Sequence, residues 1–123
     1  MGFRHVVMFK WAEHVTPEIV EHIREGFDEL PPTIKQIRSY VHGADVGVSE
    51  GNFDYAVVAD FDNVSEWRTY RDHPVHLLFI EERIKPNIAE RAAIQYQTPV
   101  TRDPSDFASR QLEELMNQID GFD

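Results

Sequence analysis

Residues Phe3 to Trp11 alternate with a period of two, and both faces of the alternation hold apolar side chains. Phe3, His5, Val7, Phe9 and Trp11 share one side, while Val6 and Met8 sit on the other between Arg4 and Lys10. A strand with one wet face alternates cleanly between apolar and polar, so this strand requires cover on both sides. That requirement limits the chain to layered architectures with a sheet in the middle. The remaining signals give the order of elements. Thr16-Pro17 opens a helix, with Thr16 as N-cap and Pro17 at the first helical position. Ile19, Ile23, Phe27 and Leu30 then recur at helical spacing. Pro31-Pro32 is expected to stop this helix, because proline lacks a donor and clashes with the preceding turn.

Residues 37–46 read as a second strand, broken near Gly43. Gly47 to Asn52 is a turn-rich connection, and Tyr55 to Phe61 (YAVVADF) is a third strand. Asn63, with Glu66 three residues later, starts a helix that runs to about Asp72. His73-Pro74 breaks it, since the residue before proline avoids the helical region. Pro74 begins a second helical piece, expected to stop near Pro86, and a fourth strand spans about Ala92 to Thr98. The order β-α-β-β-α-β is the ferredoxin-like pattern, an α+β protomer with an antiparallel four-stranded sheet. One helix layer covers one face of such a sheet. The other face needs a second sheet, so a homodimer is expected.

Residues 1–100 form the domain, and residues 101–123 are an acidic extension. Within the extension Ser105 can cap a helix over about 105–119. Its stripe of Ala108, Leu112, Leu115, Met116 and Ile119 would dock on this core or on a neighbouring chain, with Gly121 just past its end; the alternative is a frayed acidic tail. The whole chain carries 12 basic and 22 acidic residues, net −10. Nucleic acid and anionic membranes are disfavoured partners. With no cysteine there is neither a disulfide nor a thiolate nucleophile. No apolar run approaches a membrane span or a signal peptide, so a soluble, cytoplasmic protein is expected. There is no P-loop, G-x-G-x-x-G, G-x-S-x-G or H-E-x-x-H.

The stretches His5-Val-Val-Met-Phe-Lys10 and Tyr70-Arg-Asp-His73-Pro74-Val75-His76, with Gly43 after the second strand and the strand ending at Phe61, resemble the stress-responsive A/B barrel domain (Dabb) family. The resemblance covers roughly residues 3–98, and the Y-x-x-H-P-x-H stretch is its most specific part. It implies a homodimer whose two four-stranded sheets form a shared barrel. The family includes stress proteins without a settled reaction and plant polyketide cyclases. The cyclases close a linear polyketide by intramolecular aldol condensation without a cofactor. In them the Tyr and the second His of the motif are the catalytic pair, which by position are Tyr70 and His76, with His5 beside the site.

The residues themselves suit that chemistry. A neutral His can take a proton alpha to a carbonyl near pH 7, and a Tyr hydroxyl can donate to the developing enolate oxygen. Each residue also has a structural alternative. His5 can be a buried structural His, His76 can bond backbone in its first turn, and Tyr70 can be a core aromatic. His73 is either a substrate contact or a cap on the helix break. His42 has no sequence companion that suggests chemistry, and Trp11 and Trp67 read as core or interface. His73 and His76 are three apart, which is also a ligand spacing. Pro74 disturbs that geometry, and Asp72 and Glu81 are candidates only by proximity, so no metal is expected. A cavity between sheet and helices would be walled by His5, Val7, Phe9, Ile23, Phe27, Tyr55, Val57, Tyr70 and His76 and would take a small apolar or aromatic molecule. The competing readings are a non-enzymatic dimeric stress or assembly protein and a cofactor-independent monooxygenase.

Overall fold

A computed structural model describes residues 2–99 and 111–118. The elements are β1 (Gly2–Trp11), α1 (Pro17–Thr33), β2 (Ser39–Ala44), β3 (Tyr55–Phe61), α2 (Val64–Asp72), α3 (Pro74–Phe79) and β4 (Ile88–Thr98). A π-helical turn over Ile80–Ile84 and a 3-10 turn over Lys85–Asn87 carry the chain from α3 into β4. The sheet order is β2-β3-β1-β4, with every neighbouring pair antiparallel. This is the ferredoxin-like arrangement that the order of elements predicts.

The alternation in β1 sorts as expected. His5, Val7 and Phe9 are buried under the helices, together with Tyr55, Val57, Ala59 and Phe61 of β3. From α1 come Ile23, Phe27 and Leu30, and Ile34, Tyr70, Phe79 and Ile84 complete the core. Each large apolar side chain removed from water stabilises the fold by roughly 1.5–3 kcal/mol. On the opposite face the register lines up Val41, Val58, Val6 and Ile94 in one row across all four strands. The next row is Gly43, Ala56, Met8 and Ala92. Within the protomer Val41 is 64% exposed and Ile94 60%. An apolar row of this length left open to water is a surface that calls for a partner.

Three boundaries differ from the sequence expectation. Pro31 and Pro32 lie inside α1, which continues to Thr33. The final turn closes without their amides, because Thr33 Oγ1 donates to the Glu29 carbonyl and the Ile34 amide donates to that of Leu30. Burial of Leu30 and Ile34 holds that turn in place. β2 is shorter than expected at both ends, and Gly43 lies within it, paired with Ala56. β4 begins at Ile88, earlier than Ala92, because β1 continues to pair with it across an irregularity at Lys10/Trp11.

Residues 111–118 are helical, whereas the expected cap Ser105 and the stripe residues Ala108 and Ile119 lie outside the described residues. Leu112, Leu115 and Met116 remain more than half exposed within the described residues.

Gly26 occupies a position that periodicity alone does not reveal. It is buried on α1, and a Cβ there would lie 2.2 Å from Cε2 of Phe79 and 2.7 Å from Nη1 of Arg83. Ala in place of Gly within a helix gains up to about 1 kcal/mol of propensity, but overpacking costs about 1–3 kcal/mol. Gly26→Ala is therefore expected to lower stability in urea denaturation. A rise would mean that α1 and α3 can separate without cost.

Candidate active site

The helix break places the site. Asn63 Oδ1 accepts the Glu66 amide at 2.9 Å and starts α2. His73 ends that helix in an extended conformation, and its Nδ1 accepts the Val75 amide at 3.1 Å, which caps α3. The chain turns there, and His76 comes back over the end of α2. Its Nδ1–H donates to the Arg71 carbonyl at 2.9 Å, and its ring centroid lies 4.3 Å from that of Tyr70. The bond to a carbonyl fixes the tautomer: the proton is on Nδ1 and the free lone pair on Nε2. Burial lowers the His76 pKa, with Arg91 and His73 contributing in the same direction, so the imidazole is neutral at pH 7.

Tyr70 is 3% exposed, and its hydroxyl shares a 2.9 Å hydrogen bond with that of Tyr40. Burial pushes the Tyr70 pKa up to about 12, which makes it a proton-bearing donor rather than a base. Its own hydroxyl can accept from Tyr40 while donating to a ligand oxygen. His5 has the opposite polarity to His76. Gln95 Nε2 donates to His5 Nδ1 at 2.8 Å, leaving the His5 proton on Nε2. Burial lowers the His5 pKa to about 4, with Arg91 and His76 acting in the same sense. The site thus holds one imidazole with a free lone pair and one with a free N–H.

These groups border a cavity of about 430 Å³ between the sheet and the helices. Of the residues expected on its wall, His5, Val7, Phe9, Phe27, Tyr70 and His76 are there. Ile23, Tyr55 and Val57 lie outside it, packed in the core at 2% exposure or less. They face the same layer as the cavity but sit where α1 closes directly onto β3. His73 also lies outside, beside a surface hollow with Arg68, Thr69 and Asp72. Tyr40, Arg91 and Gln95 are wall residues that sequence reasoning did not single out, and Trp67, read as core or interface, also lines the wall. The signal for two of them was the period of β4: Arg91 pairs with Phe9 and Gln95 with His5, a polar face turned toward the site. His42, without companions in the sequence, bridges Tyr55 and Asp28 at 2.7 Å each, tying β2, β3 and α1 together. Among the described residues no group of three His, Asp or Glu side chains could hold a metal ion.

The depressed His5 pKa makes stability depend on pH. The unfolded chain takes up a proton near pH 6.5, while the folded one resists until about pH 4. Between those values the unfolded state binds more protons, so stability falls as pH drops through the window and this contribution is complete above it. His76 acts in the same direction. Urea denaturation at pH 7 and pH 5 is expected to give a lower midpoint at pH 5. His5→Gln should lessen the difference, and an unchanged difference would assign it to other groups.

The arrangement defines a class: a ferredoxin-like α+β protomer with a side-chain-lined cavity under its helices and an open apolar sheet face. The chain belongs to the Stress responsive A/B Barrel Domain family, whose pattern matches residues 3–98. It is similar to the solved structure of a dimeric ferredoxin-like protein of unknown function from Thermobifida fusca. Identity there is 41%, over 80% of this chain and 92% of that one, with a TM-score of 0.75. A dimeric protein of unknown function and ferredoxin-like fold from Bacteroides fragilis shares 24% identity over 79% of this chain and 96% of its own, with a TM-score of 0.70. The hydroxynitrile lyase from Passiflora edulis shares the fold at 18% identity, over 83% of this chain and 97% of its own, with a TM-score of 0.72. No curated protein matches the sequence. Among the described residues no helix is long and apolar enough to cross a membrane.

Proposed function

We propose that this protein binds a small, largely apolar molecule in the cavity and carries out cofactor-free acid–base chemistry on it, of the intramolecular aldol type. The observation that carries this reading is the pairing of a base and a donor on one wall. His76 has its Nε2 lone pair free, and Tyr70, 4.3 Å away centroid to centroid, keeps its proton. In the reaction His76 Nε2 takes a proton from a carbon alpha to a carbonyl. The electron pair moves onto the carbonyl oxygen, where the Tyr70 hydroxyl donates to the enolate. The enolate carbon attacks a second carbonyl of the same molecule, and the resulting alkoxide takes the proton back from His76. Atoms and charge balance with no other reactant. His5, with its N–H free, supports the substrate from β1. The wall of Val7, Phe9, Phe27, Ile80 and Ile88 suits an apolar or aromatic body.

The cavity beside His76 favours this reading over a purely structural dimer, in which the same space would be filled. A homodimer joined through the open sheet face completes the proposal, supported by the apolar row across the sheet and by dimeric relatives. The test is a screen of aromatic and polyketone compounds read by melting temperature. A ligand at a hundred times its dissociation constant stabilises the native state by about 2.7 kcal/mol. For a domain of this size that corresponds to a rise of roughly ten degrees. The rise should vanish in a variant that fills the cavity, such as Val7→Phe or Val7→Trp, if the ligand sits there. A ligand that stabilises the filled variants equally would place binding elsewhere.

A further inference from the structure

The cavity wall carries three cationic side chains, Arg71, Lys85 and Arg91, and no carboxylate, in a chain with 22 acidic residues against 12 basic. Two of the three cations are already paired. Arg71 bonds Asp72 through Nε and Nη2 at 2.8 and 2.9 Å and lies over the Trp67 ring, and Lys85 pairs with Glu81. Arg91 has no hydrogen-bond or ion-pair partner among the described residues. It projects from β4 on the same side as Gln95, opposite Phe9 of β1, so an unpaired guanidinium stands beside His5, Tyr70 and His76. Both imidazoles are neutral at pH 7, so Arg91 is the wall cation left without a paired carboxylate among the described residues.

We propose that the molecule bound here carries one carboxylate, paired with the Arg91 guanidinium, on an apolar body that lies against Val7, Phe9, Phe27 and Ile88. This rests on the reading of the cavity as a binding site. Arginine is the residue suited to the task, because its planar fork meets both oxygens of a carboxylate. Placing the charge at Arg91 orients the apolar body between β1 and the helices, alongside His76 and Tyr70. The same anion relieves the field that Arg91 imposes on both imidazoles.

The test compares 2-naphthoate with 2-naphthamide, which have the same shape and differ in charge. Calorimetric titration at pH 7 is expected to show the carboxylate binding about 10–100-fold more tightly, the range for a charge-assisted contact. The preference should shrink as salt is raised. Arg91→Gln should remove the preference without shifting the melting temperature, since Arg91 bonds nothing among the described residues, and Arg91→Lys should retain part of it. Equal affinity for the two compounds in the unaltered protein overturns the carboxylate proposal and leaves the binding site standing. A preference that survives in Arg91→Gln overturns the role of Arg91. Absence of binding by both compounds overturns the cavity reading and this inference with it.

Discussion

His76→Ala is expected to lower turnover by about 10²–10⁴-fold, the contribution of a positioned general base, once a substrate is in hand. The effect should fall on kcat, because the proton transfer occurs in the transition state and the ring contributes little to holding the substrate. The fold should survive. Among the described residues the His76 side chain makes one hydrogen bond, to the Arg71 carbonyl, and it lines the cavity without belonging to the buried core. Tyr70→Phe keeps the ring against Phe61 and His76 but removes the hydroxyl that bonds Tyr40. A smaller loss is expected for it, on the order of the 10²-fold seen when one oxyanion donor is removed. Melting temperature and turnover measured on the same samples decide the matter. A lower melting temperature with unchanged turnover per folded molecule would make His76 a structural residue.

The second large effect concerns assembly. In sedimentation at micromolar concentration the protein is expected to run at twice its 14.3 kDa chain mass. Val58 lies in the middle of the open row, between Val41 and Val6. Val58→Asp would bury a carboxylate with no partner between two apolar sheets, and breaking charge balance in such a place costs several kcal/mol. The two-fold axis repeats the substitution, so each dimer carries it twice. A shift to monomer is therefore expected. Ile94→Lys, on the edge strand of the same row, gives a second reading with less risk to the protomer's own fold. A monomer in the unaltered protein, or a dimer that tolerates both charges, would place the subunit contact on another surface.

The open sheet face was legible from Val6 and Met8, because strand alternation assigns faces without knowledge of what pairs with what. The helix break at His73-Pro74 was legible for a similar reason: proline restricts its predecessor locally. The same logic misjudged Pro31 and Pro32. There the local cost is outweighed by the burial of Leu30 and Ile34, which depends on residues far along the chain. The site was partly legible. Tyr70, His76 and His5 border the cavity, whereas Ile23, Tyr55 and Val57 have the right periodicity but pack where α1 touches the sheet.

The sequence by itself determined the order of elements, the two apolar faces of β1, the helix break at His73-Pro74, and the acidic charge. These follow from dihedral restrictions and periodicities that act over a few residues. Only the tertiary structure decided the register of β4, and with it the placement of Gln95 on His5 and of Arg91 on the cavity wall. It likewise decided the tautomers of His5 and His76, the bond between Tyr40 and Tyr70, and the bridge from His42 to Asp28 and Tyr55. In a strand a shift of one residue sends every side chain to the opposite face. The polar half of this site therefore exists only once β4 has paired with β1.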